Sequence, residues 1–88
     1  MIRILFVDDH EAVLSGLQDM LRRKRREWDM TFLTSGEAAL QWLAEHPCDI
    51  VVSDMCMPGM DGGELLTRIH DLYPHTVRIV LSGYAEIC

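Results

Sequence analysis

The sequence predicts an α/β fold, a parallel β-sheet with a helix in each connection between strands. Three observations carry that expectation. Four short apolar runs start near residues 2, 28, 50 and 77, and the segments between them space their apolar residues as helices do. Two of the runs, Ile2–Val7 and Ile50–Ser53, are apolar enough to be buried on both faces, as strands inside a parallel sheet are. Three runs end on polar residues: Asp8-Asp9, Asp54 and Ser82. The composition agrees, since 88 residues with 49% hydrophobic and 25% charged side chains make one small globular domain.

The elements follow in order. Ile2–Val7 is the first strand, interrupted only by Arg3, which sits near enough to the start to reach water. From Glu11 to about Lys24 the period changes, and Val13, Leu14, Leu17, Met20 and Leu21 form one stripe of an amphipathic helix. Trp28, Met30 and Phe32 alternate with Asp29 and Thr31, the pattern of a second strand at a sheet edge. Thr34-Ser35-Gly36-Glu37 reads as a capping box opening a helix through about His46, with Ala39, Leu40 and Leu43 inward and Pro47 as its stop. Ile50–Ser53 is the third strand, and Pro58-Gly59 marks a loop after it. Asp61 caps a third helix with Leu65, Leu66, Ile69 and Leu72 inward, ended by Tyr73-Pro74. Val77–Leu81 is the fourth strand, broken by Ser82-Gly83. Strands alternating with helices in this way give right-handed crossovers.

Charge and cysteines narrow the function. Formal net charge is −6, yet Arg22, Arg23, Lys24, Arg25 and Arg26 hold five of the eight bases. The other 83 residues carry a balance of −11, which argues against direct nucleic-acid binding by the chain as a whole. The basic run suits a local phosphate or RNA patch, but its place after a helical pattern favours a role in closing that helix, where cations complement the dipole. Cys48, Cys56 and Cys88 are odd in number and lack metal-ligand spacing, which points away from a disulfide scaffold or zinc site and toward a reducing cytoplasm. No apolar run nears the roughly 20 residues that span a bilayer, and the short run after Met1 is no signal peptide. Trp28 and Trp42 read as core or half-buried fillers, and Met55, Met57 and Met60 as loop packing.

In a parallel sheet a ligand site lies beyond the carboxyl ends of the strands. That rule selects Asp8, Asp9, Asp54 and Ser82. Three carboxylates from two strands repel one another at one rim, and a hard divalent cation such as Mg²⁺ relieves the repulsion. A carboxylate there can act as a nucleophile toward phosphorus, with Ser82 donating a hydrogen bond to the phosphoryl group. Acids at strand ends also serve as helix caps, and Asp61 is read so; the grouping of Asp8-Asp9, Asp54 and Ser82 favours the chemical reading. His10 is assigned mainly to leading into the first helix, and acidic neighbours make Cys56 a poor redox thiol.

Ile-Leu-Phe-Val-Asp-Asp-His (4–10), Ser-Gly-Glu-Ala-Ala-Leu (35–40), Asp-Ile-Val-Val-Ser-Asp-Met-Cys-Met-Pro-Gly-Met-Asp-Gly (49–62) and Arg-Ile-Val-Leu-Ser-Gly-Tyr (78–84) together resemble the receiver domain of bacterial two-component response regulators. The resemblance spans Ile2–Glu86. It implies a flavodoxin-like, doubly wound parallel sheet in strand order 2-1-3-4. It also implies roles: Asp54 as phosphoacceptor, Asp9 as direct Mg²⁺ ligand, Asp8 acting through a metal-bound water, and the Cys56 backbone carbonyl as a further ligand. Ser82 matches the switch hydroxyl, and Met57-Pro58 and Asp61-Gly62 match the loop that shapes the site. The partners implied are a sensor histidine kinase and an output domain or downstream effector. The module is regulatory rather than an enzyme, with only weak self-phosphorylation and self-dephosphorylation.

Such domains usually have five strands and five helices, with a lysine at the end of the fifth strand. Here the pattern reads as an incomplete receiver over residues 1–88, and Lys24 stands in the basic run instead. Two expectations follow: phosphorylation impaired by the missing cation, and a homo-oligomer covering an exposed fourth strand. Cys56 and Tyr84, at positions that tune hydrolysis in the family, suggest a long-lived phosphoryl group. A phosphorylation-impaired interaction or dimerisation module is the alternative function. An aspartyl-phosphate phosphohydrolase is a weaker one, because Asp8-Asp9-His10 lacks the DxD arrangement those enzymes use.

Overall fold

The computed structural model describes residues 1–81. Ser82, Tyr84 and Cys88 lie outside the described residues. The elements are β1 (Ile2–Val7), α1 (Glu11–Met20), a 3-10 helix (Arg22–Arg26), β2 (Trp28–Leu33), α2 (Gly36–Glu45), β3 (Ile50–Asp54), α3 (Gly62–Leu72) and β4 (Val77–Leu81). The four strands are parallel, in the order β2-β1-β3-β4. The architecture is thus the flavodoxin-like sheet expected, with β2 at an edge. No described helix is long and apolar enough to cross a membrane.

Alternation along β1 and β3 divides the core between the two faces of the sheet. Leu5, Val7 and Val51 face α2 and α3, where they pack with Ala39, Leu43, Leu65, Leu66 and Ile69. Ile4, Phe6 and Val52 face the other way, where Leu14 of α1 covers them. Phe32 stacks on Phe6 there, with ring centroids 4.9 Å apart. Only Leu14 of the five-residue stripe is buried, and Met20 is 77% exposed. α1 is also shorter than its pattern. It stops at Met20, and the bases that follow form their own exposed 3-10 helix. The last turn of α1 therefore holds no base, and the basic run does not close that helix.

Caps set where the helices on the other face begin. Asp61 caps α3 as expected, its carboxylate accepting from Glu64 N at 2.8 Å. For α2 the cap is Ser35 rather than Thr34, since Ser35 Oγ accepts from Ala38 N at 3.1 Å. The expected capping box is one residue out of register. The Glu37 carboxylate instead accepts from Met60 N at 3.3 Å, tying α2 to the loop after β3.

The inward stripe of α3 ends one turn early, with Leu65 and Ile69 fully buried but Leu72 61% exposed. Leu65→Ala should cost about 2–5 kcal/mol of unfolding free energy. Leu72→Ala should stay within about 0.5 kcal/mol. Urea denaturation checks this, and equal losses at the two positions would contradict the packing described. Near the start of β3, Cys48 Sγ donates to Ile50 O at 3.1 Å, and Thr76 Oγ1 donates to Cys48 O at 2.9 Å. Burial pushes the Cys48 thiol above its ordinary pKa, so it acts as packing rather than as a nucleophile.

Candidate functional site

Strand register builds the site. Val7 of β1 lies opposite Ser53 of β3, so the next residues along, Asp8 and Asp54, reach the same sheet end at the same level. Asp54 is the last residue of β3 and is half-buried. Asp8 is 4% exposed, and its backbone N–H donates to Leu33 O at 3.1 Å, which holds the chain between β1 and β2 as it leaves the sheet. Asp9 is half-buried beside it.

His10 does more than start α1. Its carbonyl accepts from Val13 N and Leu14 N, so it is the N-cap residue expected. Its backbone N–H also donates to Asp8 Oδ1 at 2.8 Å, and its ring Nδ1 lies 3.0 Å from the same oxygen and 3.1 Å from Asp9 Oδ1. The hydrogen bond to Asp8, with the charge of Asp9 next in weight, raises the imidazole pKa above its ordinary value. Sequence reasoning gave His10 mainly its helix-leading role, with a ligand role as the weaker alternative. The signal that could have found the rest is its position directly after two acids, where the turn into α1 folds its ring back on them.

Ligand atoms of Asp8, Asp9, His10 and Asp54 all lie within 4.8 Å of one another. Asp9 Oδ1 is buried and, despite the nearby imidazole, makes no hydrogen bond among the described residues. A buried carboxylate oxygen without a donor is costly. The three carboxylates of the cluster offer the oxygen ligands that a hard cation takes, so these residues fit a divalent metal such as Mg²⁺. Asp8, Asp9 and Asp54 thus come together as the sequence predicts. Cys56 sits in the loop after β3, two residues past Asp54, and is half-buried. Cysteine number and spacing point away from a disulfide scaffold, yet the Cys56 sulfur is disulfide-bonded; an odd count still allows one bridge.

The loop that closes the site is fixed from both ends. Gly59 adopts φ +73°, a conformation open to glycine after Pro58. Gly62 N donates to Met55 O at 2.9 Å, and the first turn of α3 lies so close to the end of β3 that a Cβ at Gly62 would meet the Asp54 carbonyl oxygen. Met57 is buried in the core beneath this loop.

Comparison with known proteins decides the family. Residues 4–87 match the model of the response regulator receiver domain. The chain belongs to that family. This receiver domain is 36% identical over 85 residues to the response regulator protein FleR of Pseudomonas aeruginosa, covering 97% of this chain and 18% of FleR. It is 36% identical over 86 residues to the response regulator UvrY of Escherichia coli, covering 98% of this chain and 39% of UvrY. The chain therefore spans well under half the length of these curated relatives. Among solved structures, the signal receiver domain of an HD domain-containing protein from Pseudomonas fluorescens superposes with a TM-score of 0.90 at 40% identity, covering 98% of this chain and 67% of that one. A two-component transcriptional regulator from Clostridium phytofermentans gives a TM-score of 0.86 at 36% identity, covering 97% and 69%.

Proposed function

We propose that this receiver domain accepts a phosphoryl group on Asp54 from a sensor histidine kinase, in a Mg²⁺-dependent reaction, and passes the change to an output domain or downstream effector. The observation that supports this most directly is the convergence of Asp8, Asp9 and Asp54 within 4.8 Å at one end of a receiver sheet. An Asp54 carboxylate oxygen attacks the phosphorus of phosphohistidine. The P–N bond breaks, its electron pair leaves with the imidazole, and an acyl phosphate remains on Asp54. Asp8, Asp9, Asp54 and the Cys56 carbonyl are the groups that would hold the metal, which when bound neutralises the phosphoryl oxygens. His10 N–H holds Asp8 in orientation through its 2.8 Å hydrogen bond. Ser82, outside the described residues, takes the role of the hydroxyl that donates to the phosphoryl group. The histidine-kinase partnership places the reaction in the cytoplasm.

Covalent labelling at Asp54 tests the chemistry. Metal binding is a separate test. Asp9→Asn should weaken Mg²⁺ binding at least about tenfold in calorimetric titration, because it removes charge from the cluster. Asp61→Asn, at a helix cap, should leave it unchanged. Equal affinities for the two variants would remove the cluster from the proposal.

A specific observation also favours an interaction role. Val77, Ile79 and Val80 of β4 are exposed, Val77 by 55%. Such an edge invites pairing with another chain, and a homodimer through β4 is our second reading. Light scattering on the 88-residue chain should report a dimer that Ile79→Lys converts to a monomer; a folded monomer before substitution rejects it.

A further inference from the structure

Apart from Lys24, whose Nζ lies over the Trp28 ring at 5.5 Å, the basic run is left without a task by the fold. It is too late to complement α1, and all five side chains are exposed. Lys24 pairs with Glu27 at 3.4 Å, but among the described residues none of the four arginines has a carboxylate within ion-pair distance. Arg22 and Arg25 line a concavity of about 470 Å³ whose apolar wall is Trp28, Met30 and Phe32 of β2. That volume is in the range of small-molecule sites. A second concavity, lined by Arg22, Arg23, Arg25 and Arg26, shares two of these arginines. Gln18, Asp19 and Asp29 complete the polar lining of the first.

Cations come from the 3-10 helix, and aromatic and acidic groups come from β2 and α1. The site is thus divided into a half for anions and a half for a flat, hydrogen-bond-donating group. We propose that it binds a nucleoside polyphosphate. Arg22 and Arg25 present planar forks that match phosphate oxygens. Trp28 offers a ring for a base to stack on in place of Lys24, whose Nζ lies over it at 5.5 Å from the centroid. The Asp19 carboxylate, with no ion-pair partner among the described residues, accepts from a ribose hydroxyl or a base amine, a role that an all-anionic ligand has no use for. The lining runs along β2 from Trp28 to Phe32, with Gln18 and Asp19 from α1 and Arg22 and Arg25 from the 3-10 helix. Asp19 and Asp29 offset Arg22 and Arg25 within the first concavity, so the net positive charge comes from Arg23 and Arg26 in the second. The same charge balance disfavours a long nucleic acid, which would run on from this patch over an acidic surface.

The test uses the full chain carrying Trp42→Phe, which leaves Trp28 as the single tryptophan; Trp42 stacks on His46, away from this site. Adenosine triphosphate titrated in EDTA should quench Trp28 emission to saturation. Adenosine alone and inorganic triphosphate alone should each bind at least tenfold more weakly. Arg22→Gln/Arg25→Gln should weaken nucleotide binding at least tenfold with the circular dichroism spectrum unchanged. Calorimetry on the unsubstituted chain keeps the test independent of the Trp42 variant. Inorganic triphosphate binding as tightly as the nucleotide would reduce the site to a charged patch and overturn the proposal. Tighter binding of a short single-stranded RNA, or no saturable binding at all, would overturn it as well.

Discussion

Incubation with acetyl phosphate and Mg²⁺ should add one phosphoryl group to the chain, and Asp54→Asn should abolish the addition. The substitution is nearly isosteric, so the packing around the end of β3 survives while the nucleophile goes. An amide carries no negative charge and is a far weaker nucleophile toward phosphorus than a carboxylate. Asp8 and Asp9 cannot stand in for Asp54. Asp8 is buried and held by the His10 backbone, and Asp9 keeps an oxygen enclosed between His10 and the cluster. Intact mass spectrometry before and after incubation reads the result directly. Labelling that persists in Asp54→Asn would move the acceptor elsewhere. No adduct in the parent chain, with Mg²⁺ binding intact, would leave a metal-binding interaction module.

The second large effect concerns Gly62. A methyl group there would strike the Asp54 carbonyl oxygen and come within 2.8 Å of the Asp54 carbonyl carbon and Met55 Cα. These are backbone atoms of the strand that carries the proposed acceptor, so nothing nearby can swing aside. Either α3 lifts from β3 or the end of β3 shifts. Gly62→Ala should lose about 3 kcal/mol, the upper end of what overpacking usually costs. Gly16→Ala is the contrasting case. It sits inside α1 with nothing within 4 Å of the added carbon, and should gain about 0.5–1 kcal/mol from helix propensity. Urea denaturation of the two variants gives shifts of opposite sign if this is right. A Gly62→Ala protein as stable as its parent would mean that the close approach of α3 to Asp54 is wrong.

Element identity was legible in the chain because hydrophobic period survives without knowledge of the neighbours. The four apolar runs are the four strands, and the helix-spaced segments are the three helices. Boundaries and faces were less legible, for reasons that differ by element. Val13, Leu14, Leu17, Met20 and Leu21 make a good stripe on paper, but a helix buries only what another surface covers, and α1 covers the sheet chiefly through Leu14. The Thr34/Glu37 capping box fits the sequence pattern, yet Ser35 takes the cap, and Glu37 accepts from the Met60 N–H of a loop distant in the chain. His10 looked like a lead-in residue because its contact with Asp8 and Asp9 depends on how the turn after β1 folds back.

The sequence alone determined the class of fold, the strand order through family resemblance, and the carboxylates Asp8, Asp9 and Asp54 as candidate ligands. The fold class and the carboxylates follow from local pattern and from the polar residues that end apolar runs; the strand order rests on the resemblance alone. The tertiary structure decided what depends on distance between segments far apart in the chain. Strand register sets Asp8 level with Asp54, the approach of α3 leaves room only for glycine at 62, and the early end of α1 leaves the arginines exposed beside Trp28. Periodicity tells which way a side chain leans from its own backbone; only the packed neighbours determine what it meets there.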